Sequence, residues 1–283
     1  MVVRGGRASF RIGRAVIAAA LLGVLALLVP SAVSADGVNG RTSIAGGVFT
    51  AQGAFPWMVS LNARDDPPPG SAHFCGGSLI SERAVLTAGH CVTTDTGGVA
   101  RASRIVAVID RARLNSSNGI VVNASRVVRH PQYRSSSAAH DAAIIFLERP
   151  VPIAPVPYGG AGSGVPVGKG LALGWGVITP YGRRSSNRLK QATMSIRNDK
   201  FCVARESGYV RSLHLCADGG GTRADTCSGD SGGPLLANTP TGWRLVGITS
   251  WSSLPCTTPG TVGIYTRVAT HAGWINRVLA GGP

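Results

Sequence analysis

From Ile44 onward the chain is a succession of short β-rich runs: WMVSLNA, GGSLISERAVLTAG, RIVAVID, GIVVNASRVVRH, DAAIIFLERPV, GLALGWGV, GWRLVGITSW and VGIYTRV. Gly, Pro, Asn and Ser punctuate them. Many short strands between turn signals indicate an all-β barrel or sandwich. Only the end reads otherwise: in HAGWINRVLAGG, Trp274, Ile275, Val278 and Leu279 recur at helical spacing before a Gly-Gly stop, which predicts one C-terminal helix. PPPG at 67–70 and the stretch VPIAPVPYGGAGSG from Val151 read as loops, and the second divides the strands into two groups of similar size. No repeat of 20–50 residues stands out.

Arg4, Arg7, Arg11 and Arg14 precede an apolar run from Ala15 to Val29, which gives way to SAVSA ending at Ala35. A basic stretch, a short apolar stretch and small residues are the layout of a secretory signal, so residues 1–35 are expected to be a cleaved leader. A membrane anchor is the competing reading, and the run falls short of the roughly 18–20 residues that span a bilayer. No stable membrane anchor is therefore expected. The net charge is +15, and losing the leader's four arginines leaves the rest basic. Lysine occurs only at 169, 190 and 200, so 25 of the 28 basic residues are arginine, and those of the strand region are scattered from Arg64 to Arg277 with few aromatics between them. A nucleic-acid binder gathers its cations into a patch. The basic surface reads as solvated, with some attraction to anionic polymers, and no specific nucleic-acid partner is expected.

All six cysteines, Cys75, Cys91, Cys202, Cys216, Cys227 and Cys256, follow the leader. An even count in an exported chain points to three disulfides, with 15 pairings open to sequence alone. Zinc fails on spacing, because no two cysteines stand two to four residues apart as a ribbon or finger requires.

TCSGDSGGPLL at 226–236 sets Ser231 among glycines and beside Asp230. A surface turn uses the same residue types. The alternative is a nucleophile whose backbone must turn tightly, and a serine hydroxyl is weak until a neighbouring base takes its proton. Two histidines have notable settings: His73 lies near Cys75, and His90 ends an apolar strand beside Cys91 in LTAGHCV. A base needs a third group to hold its tautomer, and Asp141 opens the apolar run DAAIIFL, where a buried carboxylate is costly unless paired. Each residue alone has an ordinary packing explanation.

Together, IAGG at 44, LTAGHC, DAAIIFL, GWG, CSGDSGGP, SW and GIYTRV, in this order, resemble the chymotrypsin and trypsin family of serine proteases. The resemblance runs from Ile44 to the C-terminal helix and implies two six-stranded antiparallel β-barrels with a C-terminal α-helix, divided near 151–165. It implies a secreted, extracellular endopeptidase of bacterial source, synthesised as a zymogen with an activation propeptide at 36–43 and a protease domain at 44–283. Ser231 is then the nucleophile, His90 the base and Asp141 its orienting partner, with the backbone N–H groups of Gly229 and Ser231 as oxyanion hole. The family pairing is Cys75 with Cys91, Cys202 with Cys216, and Cys227 with Cys256. Asp225 corresponds to the base of the specificity pocket, where a carboxylate selects Arg or Lys. Gly263 leaves room for a long side chain, Ser250 lies behind Asp141, and Ser252 stands at the pocket entrance. A new amino group at Ile44 is expected to pair with Asp230.

The departures from the family pattern are Ser252 where glycine is usual, a longer SSLPC loop, Val262 in place of proline, and Ser43 in place of a basic residue before Ile44. The calcium-binding glutamate pair is missing as well: between Asp110 and Tyr133 the only carboxylate is Asp110, so no metal and no cofactor are expected. The expected partners are protein or peptide substrates with Arg or Lys at the cut site and protein inhibitors, with a monomeric enzyme. A catalytically silent binding protein with a basic surface is the alternative from another class.

Overall fold

Which side chains of the short runs fill an interior is decided by how the strands close. A computed structural model describes residues 46–64, 73–159, 167–179, 182 and 185–282. In the first half, β2 (Met58–Ala63), β3 (His73–Ser81), β4 (Ala84–Thr87), β5 (Ile105–Ile109), β6 (Ile120–Arg129) and β7 (Ala143–Leu147) are all antiparallel and pair in the ring order β2-β3-β4-β7-β6-β5. Pairing of Val59 with Ile109 and Ala63 with Ile105 closes the ring. Six strands enclose only enough space for side chains, and Val59, Leu61, Leu79, Val85, Ile109 and Ile145 fill it.

The second half repeats the solution. Strands β8 (Gly168–Gly174), β9 (Lys190–Ile196), β10 (His214–Asp218), β11 (Pro234–Thr239), β12 (Gly242–Trp251) and β13 (Gly263–Arg267) close through pairing of β8 with both β9 and β11. A short β1 (Val48–Phe49) adds to the edge of β9. Ala172, Met194, Leu215, Leu235 and Tyr265 occupy this interior. The fold is therefore the all-β pair of six-stranded antiparallel barrels that the motifs implied.

A third apolar cluster joins the halves, with Met58, Leu86 and Ile144 from the first barrel packed with Leu173, Trp175 and Leu236 from the second. The C-terminal helix α2 (Val268–Leu279) adds Val268, Trp274, Ile275 and Val278 to it. It begins three residues before the HAGWINRVL stretch, because Val268, His271 and Ala272 continue the buried stripe backward. It ends at a left-handed glycine, Gly281, whose N–H bonds to the carbonyl of Val278 while Gly282 bonds to that of Arg277. Among the described residues no helix is long and apolar enough to cross a membrane.

Strands β9, β10 and β11 and a seven-residue helix α1 (Asp199–Arg205) were not apparent in sequence. In β9 the inward positions are Lys190, Ala192, Met194 and Ile196, and two of these four, Lys190 and Ala192, are weak strand formers. Tertiary pairing overrides the propensity. The start of α1 is capped by Asn198, whose side chain accepts the N–H of Phe201 at 2.9 Å.

Candidate active site

Strand β4 runs out at Thr87, and two small residues later His90 opens a single 3₁₀ turn whose next residue, Cys91, is bonded to Cys75 on β3. The histidine backbone is thus tied to the barrel. Asp141 stands two residues before β7, the strand paired with β4, so barrel register brings the two together. Gly89 makes the approach possible, since a Cβ there would sit 3.2 Å from both Asp141 Oδ1 and the nitrogen of Ala142.

Asp141 clasps His90 at two points. Its Oδ1 accepts the backbone N–H of His90 at 2.8 Å, and its Oδ2 accepts Nδ1–H at 2.8 Å. Tautomer and ring direction are both fixed, which leaves Nε2 free to exchange a proton. The second barrel supports the same carboxylate: Ser250 Oγ donates to Oδ2 at 2.5 Å, and Thr266 Oγ1 donates to the Asp141 carbonyl at 2.8 Å. Burial opposes the charge of Asp141, but the hydrogen bonds and charge of His90 and the Ser250 hydroxyl outweigh it and hold the carboxyl below the usual range. Burial likewise works to lower the His90 pKa, and the bond and charge of Asp141 reverse this and raise it above 6.5.

Ser231 lies on a turn pressed against the first barrel. Gly76 donates its N–H to the Ser231 carbonyl at 2.7 Å, and Gly232 donates to Thr249 at 2.9 Å. Gly232 has φ +77°, and a Cβ on it would collide with Thr87 Oγ1 and approach the Gly76 carbonyl to 2.6 Å. The glycine after the serine therefore lets this turn sit on the strand end that carries His90. Gly229, at φ +93°, supplies the other left-handed position. Its carbonyl accepts a hydrogen bond from His73 Nε2–H at 3.0 Å, and His73 Nδ1 in turn accepts one from Ser60 Oγ at 2.8 Å. His73, the second histidine of the sequence reading, thus anchors the turn, and burial lowers its pKa to about 4, so that it remains neutral.

Asp230 is fully buried and accepts N–H groups from Gly176 at 2.6 Å and Cys227 at 2.9 Å. Burial pushes its carboxyl up to about 7, against the pull of those two N–H groups and of the Lys190 charge. A Cβ on either Gly174 or Gly176 would run into this carboxylate, which is the structural reason for the GWG motif. Ile44 lies outside the described residues.

A cleft of about 220 Å³ opens beside Ser231, lined also by Thr226, Ser228, Ser250, Trp251 and Ser252. The disulfide between Cys227 and Cys256 crosses its wall, and that between Cys202 and Cys216 ties α1 to β10. All three disulfides follow the family pairing. Asp225 is 3% exposed and borders a neighbouring cavity with Gly219 and Thr258, while Thr226 faces the Ser231 cleft. Its Oδ2 accepts the Thr257 N–H at 3.0 Å, its Oδ1 is buried without a hydrogen-bond partner, and burial raises the carboxyl to about 6. Gly263 backs onto Thr226, since a Cβ there would lie 3.3 Å from Thr226 Oγ1. The SSLPC loop folds on itself through Ser252 Oγ to the Leu254 carbonyl at 2.9 Å, and Ser253 Oγ bonds to Glu206 at 2.9 Å.

Thr266 and Ser60 had no signal in sequence, because their partners stand 125 and 13 residues away. Comparison with known proteins is consistent with the geometry. The family model described as Trypsin matches residues 44–275. The chain is 32% identical over 218 residues to a trypsin of Saccharopolyspora erythraea, covering 74% of this chain and 91% of that protein. It is 31% identical over 267 residues to serine protease 1 of Rattus norvegicus, covering 91% and 98%. Trypsin zeta of Drosophila erecta is 32% identical over 259 residues, covering 84% and 86%.

The packing of Gly232 gives a direct test. Gly232→Ala forces a side chain into a left-handed position against backbone, and is expected to destabilise the fold by at least about 1–2 kcal/mol, read from denaturant unfolding.

Proposed function

The chain belongs to the trypsin family of serine proteases and is a serine endopeptidase, and on that premise we propose that it cuts peptide bonds after Arg or Lys with Ser231, His90 and Asp141 as its triad. The observation that carries this reading is the two-point clasp of His90 by a buried Asp141. Ser231 Oγ attacks the scissile carbonyl while His90 Nε2 takes its proton. The N–H groups of Gly229 and Ser231 receive the developing oxyanion. His90 then returns the proton to the leaving amine, the acyl-enzyme forms, and water repeats the sequence to release it. Asp141 stays ionised throughout and stabilises the imidazolium.

Asp225 supplies the selectivity. Its unpartnered Oδ1 and raised pKa mark a carboxylate that gains from meeting a cation, and the guanidinium or ammonium of a substrate is that cation. Asp230 has the same need in a different place. An ammonium freed at Ile44 would pair with it and hold the oxyanion turn, so the chain is a zymogen until the propeptide at 36–43 is removed. Ser43 precedes Ile44 and the nearest basic residue is Arg41, so the active enzyme is not its own activator. The leader at 1–35 sends the protein out of the cell, where a monomer meets its protein substrates and inhibitors.

Ser231→Ala is expected to leave a folded protein whose hydrolysis of arginyl chromogenic peptides is lower by several orders of magnitude; full turnover in that variant would end the triad assignment. For the pH profile, the base must be neutral and its pKa is raised, so kcat/KM should fall with decreasing pH through a midpoint above 6.5. A rate constant down to pH about 4 would exclude His90 as base. Asp225→Ser should weaken kcat/KM on arginyl peptides by about 3 kcal/mol or more, with little change on phenylalanyl ones. Equal losses on both would make Asp225 structural.

A further inference from the structure

Three histidines that no step of the proposed reaction uses converge where the loop leading to Asp141 meets α2. His130 follows β6, His140 immediately precedes Asp141, and His271 lies on the buried face of the helix. One nitrogen from each ring lies within 4.8 Å of the other two. We propose that His130, His140 and His271 form a zinc site, with water as the fourth ligand.

The first argument is distance. His140 Nδ1 and His271 Nε2 stand 3.3 Å apart. Two nitrogens bound to zinc at about 2.0–2.1 Å and at a tetrahedral angle are separated by about 3.3–3.4 Å. The second is tautomer. His271 Nδ1 donates to the Arg267 carbonyl at 2.8 Å, so Nε2 carries the lone pair and turns it toward the cluster. A backbone carbonyl on the far nitrogen is how metal-binding imidazoles are commonly held. The third is access, since His140 is half-exposed while His130 and His271 are buried.

The ligand set also selects the ion. Arg134 bears electrostatically on His140 and Arg277 on His130, whereas the negative charge near the cluster is the single carboxylate of Asp141. Among the described residues affinity must come from imidazole nitrogens rather than from accumulated negative charge, which disfavours the oxygen-seeking calcium and magnesium and suits zinc. The absence of calcium carboxylates in the sequence therefore does not bear on this site. A second group, Cys75, His90 and Cys91, comes equally close, but its sulfurs are joined in a disulfide and offer no thiolate.

Binding requires three local changes. With the lone pair on His271 Nε2, His140 Nδ1–H donates to it at 3.3 Å, and that proton must shift to the far nitrogen of His140 before Nδ1 can ligate. The rings of His130 and His140 are stacked at 4.6 Å with planes 4° apart, and a nitrogen ligates in its own ring plane. His140, the more exposed, must tilt out of the stack. His130 Nδ1 accepts the Gln132 N–H at 3.2 Å, a long bond that a change of tautomer would give up.

The test uses the untagged full-length chain carrying Ser231→Ala, so that self-digestion does not intervene, stripped with chelator and titrated with zinc chloride by calorimetry. One ion per chain with micromolar affinity is expected. His140→Asn suits the left-handed backbone at φ +53° and removes one ligand, and it should weaken binding by on the order of 10–100-fold or more. His130→Phe keeps the ring packed beside Trp274, 4.8 Å away, and should weaken it too. His90→Ala should bind as tightly as the parent. No binding at about 1 mM zinc, unchanged binding in both His140→Asn and His130→Phe, or loss of binding in His90→Ala would each overturn the proposal.

Discussion

Asp141 is the point at which the two barrels depend on one another. It is 1% exposed, and its acceptor sites are taken by His90 from the first barrel and by Ser250 and Thr266 from strands β12 and β13 of the second. Displacing the second barrel would leave the His90 bonds in place but strip the Ser250 hydroxyl from the carboxylate and the Thr266 hydroxyl from the Asp141 carbonyl, and each buried acceptor left unmet costs about 1–3 kcal/mol. Register in the first barrel and docking of the second are therefore linked through one carboxylate. The apolar cluster around Trp175 and Leu173 supplies the cohesion, and Asp141 supplies the directional part of the fit.

Three buried aspartates show how the partners present decide whether burial prevails. Asp141 has an imidazole and a hydroxyl facing it and is held low. Asp225 and Asp230 are as deeply placed but are met chiefly by backbone N–H groups, and burial raises them to about 6 and about 7. One carboxylate is satisfied within the described residues, whereas burial leaves the other two raised. Under the proposed function these two are the carboxylates that meet a substrate cation and a new chain end.

Backbone approach sets the remaining constraint. Gly89, Gly174, Gly176 and Gly232 each stand where a Cβ would press on Asp141, Asp230 or the strand end before His90. The turn bearing Ser231 can lie this close to the first barrel only because its neighbours have no side chains. The same closeness explains why the histidine anchor of that turn, His73, comes from β3 and reaches Gly229 across 156 residues of sequence.

What the sequence by itself determined was local. Alternating apolar runs between turn formers specified strands, the stripe of Trp274, Ile275 and Val278 specified a terminal helix, and motif order pointed to Ser231, His90 and Asp141 as one constellation. Such signals are legible because each is written within a few residues. Tertiary structure alone decided the rest. Strand β9 forms despite Lys190 and Ala192 because β8 and β10 pair with it. Asp225 turns toward a cavity beside the Ser231 cleft, and His130, His140 and His271 meet although 131 residues separate the last two. Contacts of that range follow from barrel closure and from the docking of α2, and no window of sequence records them.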